Sequence, residues 1–215
     1  MNIDSLPNKK FKAMLFDMDG TLTNSVLMAE GPWARWAEKQ GLDVKSFLPT
    51  IHGKRSIDTI TALNLPNIDP AVEAQKITEE EIKETNGITE IAGAGELLRA
   101  LPQDRWAVVT SAPLALAKAR LIAAGLPLPR VIISAESVKA GKPSPDCYLL
   151  GAKQLGVNIE DCLVFEDVEA GIMAGVSAGA QVVVVTATHE KLKYTEYPSI
   201  KDYSEAKDFL LSKLI

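Results

Sequence analysis

Phe16-Asp17-Met18-Asp19-Gly20-Thr21 follows the apolar run Ala13-Met14-Leu15 and sets two carboxylates two residues apart, ahead of a glycine turn. An apolar run of that length closed by glycine reads as a buried parallel strand that delivers acids to its C-terminal edge. That edge is where open α/β sheets bind ligands. Side chains alternate along a strand, so Asp17 and Asp19 point the same way and crowd two like charges together. Such crowding is unfavourable unless a cation or a shared proton relieves it. Taken alone, the pair fits equally a surface turn whose acids are solvated or cap the next helix.

Downstream of this stretch the pattern is helical. Trp33, Trp36 and Ala37 recur at helical spacing and stop at Gly41-Leu42, a glycine C-cap signal. A second helix is expected from Ser56 to Leu63, after Ile51-His52-Gly53-Lys54-Arg55, and a third from Pro70 to about Thr85. The run Glu79-Glu80-Glu81 in that third helix reads as a solvated face. Gly87, Gly93 and Gly95 then punctuate the chain and suit a hinge. A helix over Ala94–Leu101 precedes Trp106–Thr110, and further apolar runs follow at Val131–Ser134, Cys162–Phe165 and Gln181–Val185. Helical segments at Pro113–Ala124, Pro145–Leu155 and Val168–Ala178 separate them, and Tyr203–Leu214 reads as a closing amphipathic helix.

Strands alternating with helices specify an α/β fold, a parallel sheet covered on both faces. The helical excursion after the first strand, about sixty residues, far exceeds an ordinary crossover. The expected organisation is a Rossmann-like core domain over residues 1–24 and 88–215, with a small all-helical domain inserted over 25–87.

Composition narrows the function classes. Of 215 residues 47% are apolar, enough for a real core, and 23 basic against 28 acidic residues give a net charge of −5. No dense basic block exists, so nucleic acid and anionic membrane are not expected partners. Met1–Lys10 has Asp4 early and its lysines last, the wrong order for a secretory signal, and no apolar run approaches a bilayer span. Cys147 and Cys162 lack a Cys-x-x-Cys spacing and read as reduced, buried thiols of a cytoplasmic protein. With His52 and His189 as the only histidines, a histidine metal site is set aside. Nothing demands an oligomer, and a monomer is a plausible state.

The strand ends carry the chemistry. The second strand ends at Thr110-Ser111-Ala112-Pro113, where Ser111 or Ala112 would be the N-cap of a helix with Pro113 in its first turn. Hydroxyl and N–H groups there form an anion site, or simply a cap. Lys142, held between Gly141 and Pro143, is stiff enough for its ammonium to be aimed at a phosphoryl group. The fourth strand ends at Glu166-Asp167. Asp167 either caps the following helix or joins Asp17 and Asp19 around one crevice. A carboxylate cluster without arginine partners argues for a hard cation with oxygen ligands, Mg²⁺ above all. Together these parts describe phosphoryl transfer, and they supply what a carboxylate nucleophile would require.

In these motifs, Asp17-Met18-Asp19-Gly20-Thr21, Thr110, Lys142 in Gly-Lys-Pro, and Glu166-Asp167, taken in this order, the chain resembles the haloacid dehalogenase superfamily. The resemblance implies a helical cap inserted after the first strand. It implies Asp17 as the nucleophile forming an aspartyl-phosphate, and Asp19 as the acid that protonates the leaving alcohol and the base that then activates water. It also implies Mg²⁺ held by Asp17, the Asp19 carbonyl and Asp167 with Glu166 nearby, and phosphoryl oxygens held by Thr110, Ser111 and Lys142. Asp19 favours phosphate esters, since dehalogenases and phosphonoacetaldehyde hydrolases lack the second aspartate. Ile51–Arg55, Trp106–Ser111, Gly141–Pro143 and Phe165–Asp167 look like the branch of sugar phosphatases, 2-deoxyglucose-6-phosphate phosphatases and glycerol phosphatases. There His52, Lys54 and Arg55 of the cap would face the substrate, or would simply be exposed. Asn24 departs from the aspartate of many relatives, which bears on cap motion or substrate contacts.

The expected function is a Mg²⁺-dependent phosphatase of phosphorylated sugars or polyols. A hexose phosphomutase of β-phosphoglucomutase type shares the fold and the four motifs. A non-catalytic regulator that accepts phosphate on Asp17 is the third reading, opposed by the joint presence of Asp19, Lys142 and Asp167.

Overall fold

Apolar runs form strands where both faces can be covered, and in the computed structural model such runs, joined by one short further strand, make a six-stranded parallel sheet among the described residues, 3–188 and 196–215. His189 lies outside the described residues. The strands are β1 (Ala13–Phe16), β2 (Trp106–Val109), β3 (Ile132–Ile133), β4 (Cys162–Glu166), β5 (Gln181–Val185) and β6 (Ser199–Ile200), ordered β3-β2-β1-β4-β5-β6. In register, Phe16 lies beside Val108 on one side and Phe165 on the other. Asp17, Thr110 and Glu166 therefore leave the sheet within about one residue of a common edge.

The first four of the five α-helices between β1 and β2 form one group: α1 (Val26–Lys39), α2 (Val44–Phe47), α3 (Ser56–Leu63) and α4 (Pro70–Lys83). The start of α4 is fixed locally. The Asp69 carboxylate accepts from the Ala71 and Val72 N–H groups at 2.9 and 3.2 Å, and Pro70 takes the first helical position. These helices bury their own cluster of Trp33, Trp36, Phe47, Ile51, Ile60 and Ile77.

The remaining helices, α5 (Ala94–Ala100), α6 (Leu114–Ala123), α7 (Asp146–Gln154), α8 (Glu169–Ala178) and α9 (Lys207–Ser212), cover the sheet. Alternation along the strands divides its apolar side chains between two faces. Met14, Phe16, Trp106 and Phe165 pack with Leu98, Leu121 and Leu210 of α5, α6 and α9, and Phe16 stacks on Phe165 with ring centroids 4.6 Å apart. Leu15, Val109, Val164 and Val182 pack with Tyr148 of α7 and Ile172 of α8. Ile82 of α4 reaches the first of these clusters, so the helical segment rests directly on the sheet's own packing.

Several expectations need correction. The third strand has two residues, and the sixth was not foreseen, because Ser199-Ile200 is too short to show a period. The closing helix begins at Lys207, while Tyr203 is buried in the sheet cluster. Neither Ser111 nor Ala112 caps α6. Its N-cap is Pro113, and the Glu136 carboxylate accepts from the Leu114 N–H at 3.2 and 3.1 Å. Glu81 is not part of a solvated face; it is only 5% exposed. Cys147 and Cys162 are free and buried. Among the described residues no helix is long and apolar enough to cross a membrane.

Adjacent positions on α6 test this packing. Leu121 is fully buried and Ile122 is 64% exposed. In urea denaturation Leu121→Ala is expected to cost about 2–5 kcal/mol, and Ile122→Ala to stay within about 0.5 kcal/mol of the parent.

Candidate active site

The common strand edge opens into a cavity of about 770 Å³ whose wall includes Asp17, Asp19, Thr110, Ser111 and Asp167. Asp17 enters it directly from β1, its N–H donating to the Phe165 carbonyl at 3.0 Å. Behind Asp17, away from that wall, Lys142 donates to Asp17 Oδ1 and Glu166 Oε1, both at 2.6 Å, and to the Val109 carbonyl at 3.1 Å. The Tyr148 hydroxyl donates to the same Glu166 oxygen at 2.6 Å. The Glu166 Oε2 accepts from the Asp167 N–H at 3.1 Å, and the Thr21 hydroxyl donates to Asp167 Oδ1 at 3.2 Å.

Two glycines make this crowding possible. At Gly20, with φ of +86°, a Cβ would stand 2.0 Å from Asp167 Oδ2. At Gly171, where α8 passes beneath β4, it would stand 1.8 Å from Glu166 Oε1. Both distances are far inside van der Waals contact, so any side chain would displace a carboxylate.

The electrostatics follow from the burial of these groups. Asp17 is pushed from its ordinary value of 3.8 up to about 7, first by burial and then by the Glu166 charge, with Lys142 opposing. Burial also raises Glu166 against the pull of Lys142. Burial alone would lower the Lys142 ammonium, but Asp17 and Glu166 outweigh it and the net shift is upward. These directions are consistent: one ammonium stays charged yet cannot neutralise every carboxylate around it. Carboxylate oxygens of Asp17, Glu166 and Asp167 lie within 4.8 Å of one another. With Lys142 they leave a formal excess of two negative charges, which a divalent cation with oxygen ligands would match.

Arg120 corrects the expectation of a carboxylate cluster without arginine. From α6 it reaches Asp19 Oδ1 at 3.0 Å and Glu81 Oε1 at 2.9 Å, and the Ser25 hydroxyl also donates to Asp19 Oδ1. A single arginine beside Lys118 in a helix of mostly apolar residues carries no motif, so no sequence signal pointed to it. Tyr148 was missed for the same reason. Thr110 is buried, its hydroxyl accepting from the Ala112 N–H at 3.0 Å, and the Ser111 hydroxyl donates to the Gly53 carbonyl at 2.8 Å.

The basic residues expected near the substrate divide into two groups. His52 and Lys54 line the cavity, and His52 Nε2 lies 3.1 Å from Glu30 Oε1. Arg55 stands outside that wall. It pairs with Asp58 at 2.6 and 2.8 Å and donates to the carbonyls of Ala135, Val138 and Lys139 at 3.4, 3.0 and 3.0 Å. Asn24 bridges backbone, its N–H donating to the Thr89 carbonyl at 3.1 Å and its Oδ1 accepting from the Thr89 N–H at 2.8 Å.

The family model for haloacid dehalogenase-like hydrolases matches residues 11–179. Hexitol phosphatase A of Escherichia coli is 41% identical over 189 residues, covering 86% of this chain and 88% of that protein. Glycerol-1-phosphate phosphohydrolase 1 of Saccharomyces cerevisiae is 33% identical over 240 residues, covering 94% and 95%. Among solved structures, β-phosphoglucomutase from Clostridium difficile superposes with a TM-score of 0.79 at 22% identity, covering 94% and 96%. That likeness concerns the fold alone.

Because Asp17 takes up its proton more readily in the folded chain, its own contribution to the stability of the metal-free protein falls as pH rises from about 4 to about 7. Asp17→Asn lacks this titration. Without added metal, its melting temperature relative to the parent should climb across that interval; a difference that stays flat or falls would contradict the burial argument.

Proposed function

The chain belongs to the haloacid dehalogenase-like hydrolase family and is a phosphoric monoester hydrolase; we propose that it hydrolyses small phosphorylated sugars or polyols through an aspartyl-phosphate on Asp17. The observation that carries this reading is the joint exposure of Asp17 and Asp19 to one cavity, with the Lys142 ammonium behind Asp17.

Asp17 Oδ attacks phosphorus while the bond from phosphorus to the substrate oxygen breaks, and Asp19 gives its proton to that departing oxygen. Asp19 then takes a proton from water as the water attacks phosphorus, releasing phosphate and restoring the Asp17 carboxylate. Lys142 holds the Asp17 carboxylate in place, and the Thr110 hydroxyl, which accepts from the Ala112 N–H, offers its hydrogen to a phosphoryl oxygen; the Ser111 hydroxyl would do so on releasing the Gly53 carbonyl. Asp17, Asp167 and the Asp19 carbonyl would hold Mg²⁺, with Glu166 nearby. When bound, the ion supplies charge neutralisation at the phosphoryl group.

Polyol or sugar substrates suit the rest of the wall. Glu30, His52 and Lys54 present donors and acceptors there beside Trp33, a mixture suited to hydroxyl-rich molecules. The curated relatives named above carry hexitol and glycerol-1-phosphate in their names, which supports the same substrate class.

A panel of phosphorylated sugars and polyols, assayed for phosphate release with Mg²⁺, should give turnover that chelation abolishes and Mg²⁺ restores. Asp17→Asn should lose about three orders of magnitude or more in kcat. Turnover by Asp17→Asn near the parent rate would refute the nucleophile. Isomerised product dependent on a bisphosphate activator, in place of steady phosphate release, would make the protein a mutase.

A further inference from the structure

Asp19 is not left to find its own conformation. Its Oδ1 is held by Arg120 Nη1 at 3.0 Å and by the Ser25 hydroxyl, so the carboxylate is fixed through one oxygen while Asp19 lines the cavity. The other arm of the same guanidinium, Nη2, holds Glu81 Oε1 at 2.9 Å. Asp19 lies just beyond β1, Arg120 on α6 and Glu81 on α4. One planar cation thus joins the sheet edge to the helical segment.

Arg120 is 4% exposed and Glu81 5% exposed. Burying two charges forfeits hydration that their attraction only partly restores, so such a pair is a poor device for stability. Burial pushes Glu81 up to about 7 despite the arginine beside it. Arg120 Nε, also buried, has no hydrogen-bond partner among the described residues. A purely structural crosslink gains nothing from a carboxylate that strains against ionisation and a donor left without an acceptor. A device that aims Asp19 does require a rigid fork reaching two points at once, which a lysine cannot supply.

We propose that Arg120 is a positioning residue for Asp19, and that Glu81 makes this positioning conditional on the seating of α4 against α6. With α4 in place, Glu81 and Asp19 fix the two arms of the guanidinium, and Arg120 presents Asp19 in one orientation. Without α4, Arg120 loses its second anchor and Asp19 its fixed direction. Proton transfer to the departing oxygen then takes place only when the helical segment covers the cavity, which guards the aspartyl-phosphate chemistry against an open site. The proposal rests on the assignment of Asp19 as the proton carrier.

Leaving-group chemistry tests it. An alkyl phosphate, such as glycerol phosphate, needs its departing oxygen protonated; p-nitrophenyl phosphate, whose leaving phenolate is already stable, hardly does. Because hydrolysis of the aspartyl-phosphate also needs Asp19 and is common to both esters, the readout is kcat/KM, which reports only the steps through departure of the leaving group. Arg120→Met should lower it about 100-fold on the alkyl ester, the scale of a displaced catalytic group, and by less than about 5-fold on the aryl ester. Arg120→Lys should recover only part of the difference. Glu81→Gln, which keeps size and polarity, should show the same asymmetry at about 3- to 10-fold.

Asp19→Asn is measured alongside. If it shows the asymmetry while Arg120→Met slows both esters equally or neither, the positioning role is refuted and the assignment of Asp19 survives. If Asp19→Asn shows no asymmetry, that assignment fails and the positioning proposal falls with it. Should Arg120→Met not fold, Arg120→Lys and Glu81→Gln decide on the same ratio, and equal slowing of both esters by these variants overturns the proposal.

Discussion

The Lys142 ammonium, held between Asp17 and Glu166 at 2.6 Å from each, is the contact on which the strand edge depends. Carboxylates brought together by two neighbouring parallel strands, β1 and β4, would repel one another and draw in water or protons. One buried cation, anchored also by the Val109 carbonyl, lets the strands end level with their acids pointing into one place. The contact is incomplete by design of its charges, since the carboxylates still outnumber the ammonium. That residual negative charge is what gives the edge an affinity for a hard cation. Folding and ligand chemistry are therefore set by the same imbalance.

Around this centre the chain builds outward in two tiers. The sheet and its two apolar faces fix where Asp17, Thr110 and Glu166 emerge. Helices α1 to α4 carry a separate core and meet the rest of the chain through Ile82, the Arg120–Glu81 pair, the Ser111–Gly53 hydrogen bond and the hydrogen bonds of Arg55 to residues 135–139. Contacts of the second kind are few and largely polar, as between elements that part and rejoin. The cavity lies where these two tiers face each other.

Much of this was legible in sequence for a physical reason. Runs such as Ala13–Phe16 and Gln181–Val185 are buried on both faces, so their composition alone marks them as strands of a parallel sheet. Acids and hydroxyls placed directly after such runs then declare the edge. Ser199-Ile200 escaped notice because two residues show no period, and their pairing to β5 is a tertiary fact. Glu81 was misread because its neighbours Glu79 and Glu80 share its charge; only the placement of α6 against α4 singles it out. Arg120 is the converse, a charge hidden in an apolar helix whose partner lies about a hundred residues earlier in the chain.

Arg55 has a different implication. It grips the segment 135–139 only by carbonyl oxygens, at Ala135, Val138 and Lys139. Every amino acid offers that oxygen, so the grip recognises the path of the main chain and is blind to the side chains it carries. Arg55 thus places no demand on the side chains of this stretch, which leads into Lys142, provided its course is kept; Glu136 and Ser137 are tied separately, to the Leu114 and Ser134 N–H groups. Arg55 itself is constrained, because no other side chain presents a fork of donors to three carbonyls and a carboxylate together.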